Sequence, residues 1–496
     1  MNNVRVTYSG LIAFLVSIGS LLTGMLFVII VTRRLLPEEF GLWTLIGTMV
    51  AYVTIIQPIV SYWSTRQIAR GEEIGKTAVV TGSIFSMVGF TVYAIIVIIV
   101  SASLGASINV LMLASALVPL NILNSITGSI LLGYKPHAVS YGLISFEISK
   151  IPFGLIFVYF IPLGITGALL ATIGASGIRL IVLLFLCRKK IVGEIKKQVI
   201  KFWLKMSWLV AYEQFSGIIF RFDVMLISFA TTSFTGLAFW GAAQTLGFLV
   251  LHSGQISQAL YPKLLAEGKK QFAEDNIKRS LFFALPILGA CIVFAKPGLH
   301  ILNPLYVDAS FAVYFLALGT FSNTLRSVFY KILSGYEHVD TSNHSTFRDY
   351  IKSKLFLIPT LEYAYVIIYI ISLSIFLMFY RDSSDIFLVN NWAFLMFIAS
   401  IPITTYTVVV VKKHHNLKIP IFSIMKYVLI TIISSVIVFY TMENFITYRE
   451  SVFDFLPEII PFILFAGILY FGIAYIIDQD TRKLFRGIIN EIKQRK

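Results

Sequence analysis

The chain has 496 residues, 57% of them hydrophobic and only 13% charged, with a mean hydropathy of +0.84. Soluble globules carry about 25% charged residues, so the composition excludes an ordinary water-soluble domain and requires a solvent other than water. A net charge of +15 would suggest nucleic acid in a soluble protein, but here the basic residues sit in short connections between apolar runs, where they read as topology signals and anionic-lipid contacts.

Apolar runs of about 20 residues cross a bilayer core as helices. In chain order the predicted spans are 10–31, 42–62, 78–100, 108–132, 139–160 and 164–186, then 206–229, 237–261, 281–301, 311–333, 355–378 and 391–411, and finally 420–440 and 456–477. The first run is too long for a signal peptide and lacks a small-residue cleavage site, so it reads as a retained helix. The longest basic connection is 188–205, in which Ile191, Ile195 and Val199 recur at helical spacing among lysines. An amphipathic helix on the inner leaflet and a solvated linker between two halves both fit that pattern.

Charge asymmetry orients the chain. With the N-terminus in the cytoplasm, inner segments and inner span ends hold 31 Lys and Arg residues and outer segments hold 5. A missed or invented helix would scramble the alternation beyond it, so the bias supports about fourteen spans with both termini cytoplasmic, in the cell membrane. The six tryptophans fall near predicted span ends, where indole favours the headgroup level. Cys187 and Cys291 lie at or inside apolar runs and show no metal-ligand spacing; neither metal nor cofactor is expected.

An internal repeat organises the spans. Ser125 to Gly133-Tyr134 closes the fourth, and Ser327 to Gly335-Tyr336 closes the tenth, at one offset of 202 residues. Gly41-Leu42 opens the second span and Gly236-Leu237 the eighth. An even number of spans separates the copies, so both have the same orientation and relate by an axis along the membrane normal. The expected architecture is all-α and integral to the membrane: an N-lobe at 1–187, a basic linker at 188–205, a C-lobe at 206–411, and two extra spans with a basic tail at 412–496.

The stretch Thr32-Arg-Arg-Leu-Leu-Pro-Glu-Glu-Phe-Gly-Leu-Trp43 resembles the opening of polysaccharide-type flippases of the MOP superfamily. Phe222-Asp223, Thr235-Gly-Leu-Ala-Phe-Trp240, Leu260-Tyr-Pro-Lys-Leu-Leu265 and Gly335-Tyr336 fit the same pattern, and the likeness covers most of the first twelve spans. It implies a V-shaped pair of six-helix lobes with alternating access, moving polyprenyl-linked sugars from the cytoplasmic to the outer leaflet. The implied partners are the lipid-linked oligosaccharide, membrane lipids and glycan-assembly enzymes, with no nucleic acid. In the related lipid II flippases two extra C-terminal helices guide the lipid tail, and the thirteenth and fourteenth spans are candidates for that task.

Ionisable groups inside a bilayer are costly and face protein or water. Lys150, Arg179, Arg221 and Arg326 lie inside the fifth, sixth, seventh and tenth spans. An anionic phosphate headgroup suits such cations, Arg as a planar fork and Lys as a point charge. Glu147, Glu213 and Asp223 are the candidate coupling or counter-ion acids, with Glu362 nearer the inner interface. Structural readings stand beside these. Glu147 and Lys150 are spaced i,i+3 and can neutralise each other, Arg179 and Arg326 can snorkel to the inner headgroups, and Asp223 can brace helices.

Two rival functions remain. A multidrug or organic-cation antiporter of the same superfamily needs an acidic site, and the first span has no ionisable residue. A membrane glycosyltransferase or polymerase acting on lipid-linked sugars needs catalytic carboxylates, and the longest outer connection, 441–455, is short. No phosphate-binding Gly-rich loop of the Walker type appears. The expectation is therefore a transporter and not an enzyme.

Overall fold

The computed structural model describes residues 19–20, 22–135, 137–231, 233–257, 270–337, 347–415, 417 and 419–483. Helices dominate, and no strand occurs among the described residues. Lipid offers no hydrogen bonds, so each spanning segment must satisfy its own backbone, and the α-helix does so.

Eleven helices among the described residues are long and apolar enough to cross a membrane. A further candidate is the second span, where Pro37–Thr54 and Pro58–Ala69 meet at a 57° bend. Pro58 opens the second half, at a position where a missing N–H costs nothing. The first span is described as Leu22–Thr32, and most of its residues before that lie outside the described set. Spans three to six are Gly75–Leu104, Ile108–Tyr134, His137–Phe160 and Gly164–Lys190. The seventh ends the long helix Lys197–Thr231, and the eighth is α-helical over Thr235–Gly247 and then 3-10 over Phe248–Ser257. Lys270–Val293, Pro304–Gly335, Lys354–Tyr380, Asp385–His415, Ile421–Phe445 and Val452–Ile477 complete the set. The all-helical membrane architecture and its span count agree with the sequence expectation.

By density of internal contacts the chain forms two compact units. The first is Met1–Gly241 with Val366–Leu388, and the second is Ala242–Tyr365 with Val389–Lys496. Within the first unit the starts of the second and eighth spans pack closely. A Cβ on Gly41 would stand 1.7 Å from the Phe234 carbonyl oxygen, and one on Gly241 would stand 2.5 Å from the Thr44 hydroxyl. Only glycine permits that approach. Glu39 accepts from the backbone N–H of Leu36 (3.0 Å) and of Ile165 (3.3 Å), serving the N-terminal ends of the second and sixth spans.

The 188–205 connection is helical only at its two ends. Arg188–Lys190 closes the sixth span as a 3-10 turn, and the helix restarts only at Lys197, from which it runs unbroken to Thr231. Gly193, at φ 104°, breaks the helical register between them. The intervening strap is pinned. The Thr77 hydroxyl donates to the Glu194 carbonyl (3.4 Å) and accepts from the Lys196 N–H (3.0 Å). The Trp203 indole then donates to Gln67 (2.7 Å), fixing the new helix on the second span.

In the second unit the repeat reappears as packing. Ser129, in the fourth span, bonds Ser64 of the second (2.8 Å). Its partner at the same offset, Lys331 in the tenth span, donates to the Gly254 carbonyl of the eighth (3.3 Å). The thirteenth span lies close on the ninth, where a Cβ on Gly289 would meet Ser435 Oγ at 2.6 Å. Tyr470 of the fourteenth donates to the Phe282 carbonyl of the ninth (2.8 Å). Below them Asp478 accepts from Lys426 (2.9 Å), Tyr427 (3.0 Å) and Thr481 (2.9 Å), and Lys278 pairs with Asp480. The C-terminal pair is thus anchored to the ninth span. Trp203, Trp240 and Trp392 are packed fully inside the protein, so their position near span ends reflects core packing and not lipid anchoring.

Candidate functional site

The fifth span carries the densest intramembrane charge in the first unit. Glu147 is buried, and Lys150, one helical turn on, places Nζ 3.6 Å from Glu147 Oε2. The expected i,i+3 pair therefore forms. Two hydroxyls of the first span complete the carboxylate: Ser20 donates to Oε1 (2.5 Å) and Thr23 to Oε2 (2.7 Å). Lys150 also lies over the rings of Phe27 (5.0 Å) and Phe146 (5.1 Å), whose π-faces stabilise a cation. Arg179 of the sixth span is within electrostatic reach of Glu147, and its Nε is buried with no hydrogen-bond partner. Glu147 thus pairs with Lys150, and Arg179 has no ion-pair partner among the described residues. The arrangement carries one excess positive charge and one unused donor in a low-dielectric setting, which suits an anion.

This geometry supplies something absent from the sequence expectation. The first span has no ionisable residue of its own, yet Ser20 and Thr23 bring a carboxylate from the fifth span directly against it. Serine and threonine are common in membrane helices and carry no site signal by themselves. Only the i,i+3 acid–base pair was legible.

Arg326 has a different fate. It is 3% exposed and holds Glu362 by two bonds, Nε to Oε1 (2.8 Å) and Nη2 to Oε2 (3.1 Å). Its guanidinium stacks over Tyr365 at 4.5 Å. The side chain is not snorkelling to the headgroups; it is a paired and stacked element of the second unit. Only Nη1 lacks a partner. The Arg326 charge is balanced one to one by Glu362.

Arg221 and Asp223 separate as their i,i+2 spacing requires. Arg221 is exposed, whereas Asp223 is buried, accepting from the Tyr369 hydroxyl at 2.7 Å and from the Val224 N–H at 2.7 Å. Phe220 stacks near Tyr369, so Asp223 braces the seventh span against the eleventh. Lys150 and Arg221 both belong to the first compact unit. The Glu213 side chain lies outside the described residues. No cluster of His, Cys, Asp or Glu suited to a metal occurs among the described residues. His415 stacks on Tyr336 at 4.4 Å, and His414 contacts Lys354 (3.2 Å).

Comparison with known proteins defines the fold. No protein-family model matches the chain, and no curated protein sequence matches it. Solved structures do. The inward closed form of the lipid II flippase MurJ superposes with a TM-score of 0.67 at 16% identity, covering 95% of this chain and 99% of MurJ. An inward-facing multidrug resistance transporter of the MATE family, MOP superfamily, gives 0.60 at 14% identity, covering 79% of this chain and 95% of its own. The Vibrio cholerae MATE transporter VcmN in its bent form gives 0.53 at 13% identity, covering 82% and 98%. The chain therefore has the fold shared by MATE transporters and MurJ, and these neighbours are transporters and a flippase, not enzymes.

Proposed function

We propose that this chain carries a lipid-linked sugar, joined to its polyprenol through phosphate or pyrophosphate, from the cytoplasmic to the outer leaflet by alternating access of two six-helix lobes. The observation that carries the reading is the charge imbalance around Glu147, which pairs with Lys150 and leaves Arg179 without an ion-pair partner among the described residues. An incoming phosphate supplies the missing negative charge. Lys150 meets it as a point charge, and Arg179 offers an unused N–H. Arg221, exposed on the seventh span, is a third cation available to the cargo.

Two further observations support this reading. The MurJ likeness extends over 95% of this chain and the MATE likeness over 79%, a difference about the size of the C-terminal helix pair. That pair exposes a long apolar surface, including Phe422, Leu429, Ile433, Leu464 and Ile468, suited to a polyprenyl tail. In this proposal the cytoplasmic termini, the cell-membrane location and supply by glycan-assembly enzymes follow from the charge bias and the cargo.

The second reading is an organic-cation antiporter, favoured by the MATE neighbours and by the Glu147 carboxylate against the first span. The two readings assign opposite roles to Glu147. The test is reconstitution of the full chain in vesicles, with a fluorescent polyprenyl-pyrophosphate sugar assayed by leaflet-selective quenching and with ethidium efflux under a proton or sodium gradient. Lipid flipping without ethidium efflux supports the proposal. Efflux without flipping overturns it in favour of the antiporter.

A further inference from the structure

We infer that the 188–205 strap, together with the adjoining ends of the second and third spans, forms a basic platform that binds anionic phospholipid headgroups of the inner leaflet. The inference is independent of the cargo, because it uses none of the intramembrane charges.

Three features carry it. The first is rigidity. Thr77 holds both Glu194 and Lys196, Trp203 is buried and bonded to Gln67, and Trp63 packs edge-on to Phe202 at 5.3 Å. The backbone of Lys190 lies so close to Gly75 that a Cβ there would stand 2.1 Å from its carbonyl oxygen. These contacts fix the strap to the second and third spans, so its charges are presented on a formed surface.

The second feature is unbalanced charge. Lys189, Lys196, Lys197 and Lys201 are exposed on the strap and the helix start, and Arg66, Arg70 and Lys76 are exposed beside them. Only Glu72, Glu73 and Glu194 oppose them nearby, and Glu72 is engaged with the Gln67 amide (3.1 Å). Among the described residues none of the seven bases enters a salt bridge. A cationic surface of this kind attracts phosphate.

The third feature identifies the occupant. Val192, Ile195, Phe202 and Leu204 are exposed among the lysines. A surface for nucleic acid or an acidic protein in water gains nothing from exposed aliphatic groups. At a span end they enter the acyl boundary while the lysine stems extend their ammonium groups to the headgroups. Lys197 begins a helix that continues without interruption into the seventh span, so the platform stands where a membrane span emerges. Charge and apolarity on one surface at that depth fit a bilayer of anionic lipid.

The test measures lipid affinity of the purified full chain, with phosphatidylglycerol and phosphatidylcholine as probes and retained lipid counted by native mass spectrometry. The wild type should prefer phosphatidylglycerol by about tenfold at low salt, and the preference should shrink as salt rises. The variant K189Q/K196Q/K197Q/K201Q should lose most of it. The control K352Q/K412Q/K413Q/K483Q, with exposed bases elsewhere, should retain it. Equal affinity for the two lipids, a preference indifferent to salt, or equal loss in both variants would overturn the inference. Should the fourfold platform variant melt early, K197Q and K201Q are read singly, and full preference in both overturns it as well.

Discussion

In the second compact unit Arg326 and Glu362 meet one to one, with two parallel bonds and a tyrosine ring over the guanidinium. In the first, Lys150 pairs with Glu147, whose oxygens also accept from Ser20 and Thr23, and Arg179 nearby has no ion-pair partner among the described residues. Both clusters lie within apolar spans, and both use the residue types that membranes tolerate least. Their stoichiometry separates them. A balanced pair satisfies itself and stiffens the helices it joins, whereas an unbalanced one retains charge for a visitor. Intramembrane charge alone therefore does not mark a binding site, and the test is whether the protein supplies the counter-charge.

The largest expected effect comes from breaking the balanced pair. Glu362→Gln leaves Arg326 charged and buried without its partner, and unfolding stability should fall by about 3–5 kcal/mol. Replacing both residues by methionine should restore most of that loss, as measured by melting in detergent. Glu147→Gln should behave differently. The single amide oxygen accepts from only one of Ser20 and Thr23, but Lys150 keeps the rings of Phe27 and Phe146, so the melting temperature should fall by less than in Glu362→Gln. Without the competing acid, Lys150 and Arg179 should bind an anionic headgroup several-fold tighter, by about 1 kcal/mol. If Glu147→Gln destabilises as strongly as Glu362→Gln, the distinction between the clusters is lost.

A smaller effect is expected at Asp223→Asn. The amide keeps an oxygen for the Tyr369 hydroxyl but gives up a charged acceptor, and the cost should be about 1 kcal/mol. The smallest concerns Asp478, just beyond the fourteenth span. Burial opposes its ionisation, but bonds from Lys426, Thr481 and Tyr427 outweigh that and hold the carboxyl below its usual range. A depressed folded-state value means that its contribution is present above the unfolded carboxylate range, about pH 4, and is lost as acid takes the pH through the folded value. The wild type should accordingly lose melting temperature on acidification somewhat more steeply than Asp478→Asn.

Much of the fold was legible, because hydropathy reports the solvent and the alternation of basic loops reports the count. At the 202-residue offset Ser129 bonds the second span and Lys331 the eighth, through different chemical groups. The site was legible only in part. The spacing of Glu147 and Lys150 gave their pairing, but nothing local connects Glu147 to Ser20, 127 residues earlier, or Arg326 to Glu362, 36 residues later. Those partnerships exist only once helices pack. The path of the strap at 188–196 is hidden from the sequence for a related reason. Its Ile191, Ile195 and Val199 spacing suits a helix, but Gly193 and the Thr77 hydroxyl provide a competing backbone solution.

The central claim is that surplus cation in the first unit binds the cargo's phosphate. Its most direct test is the flipping rate of a polyprenyl-pyrophosphate sugar in vesicles holding equal amounts of wild type, Lys150→Gln/Arg179→Gln and Arg326→Met/Glu362→Met. Neutralising the unbalanced pair should slow flipping by an order of magnitude or more, about 1.4 kcal/mol at least, while the methionine exchange should leave it close to wild type. A first variant that flips normally, or a second that alone abolishes transport while remaining folded, would contradict the account.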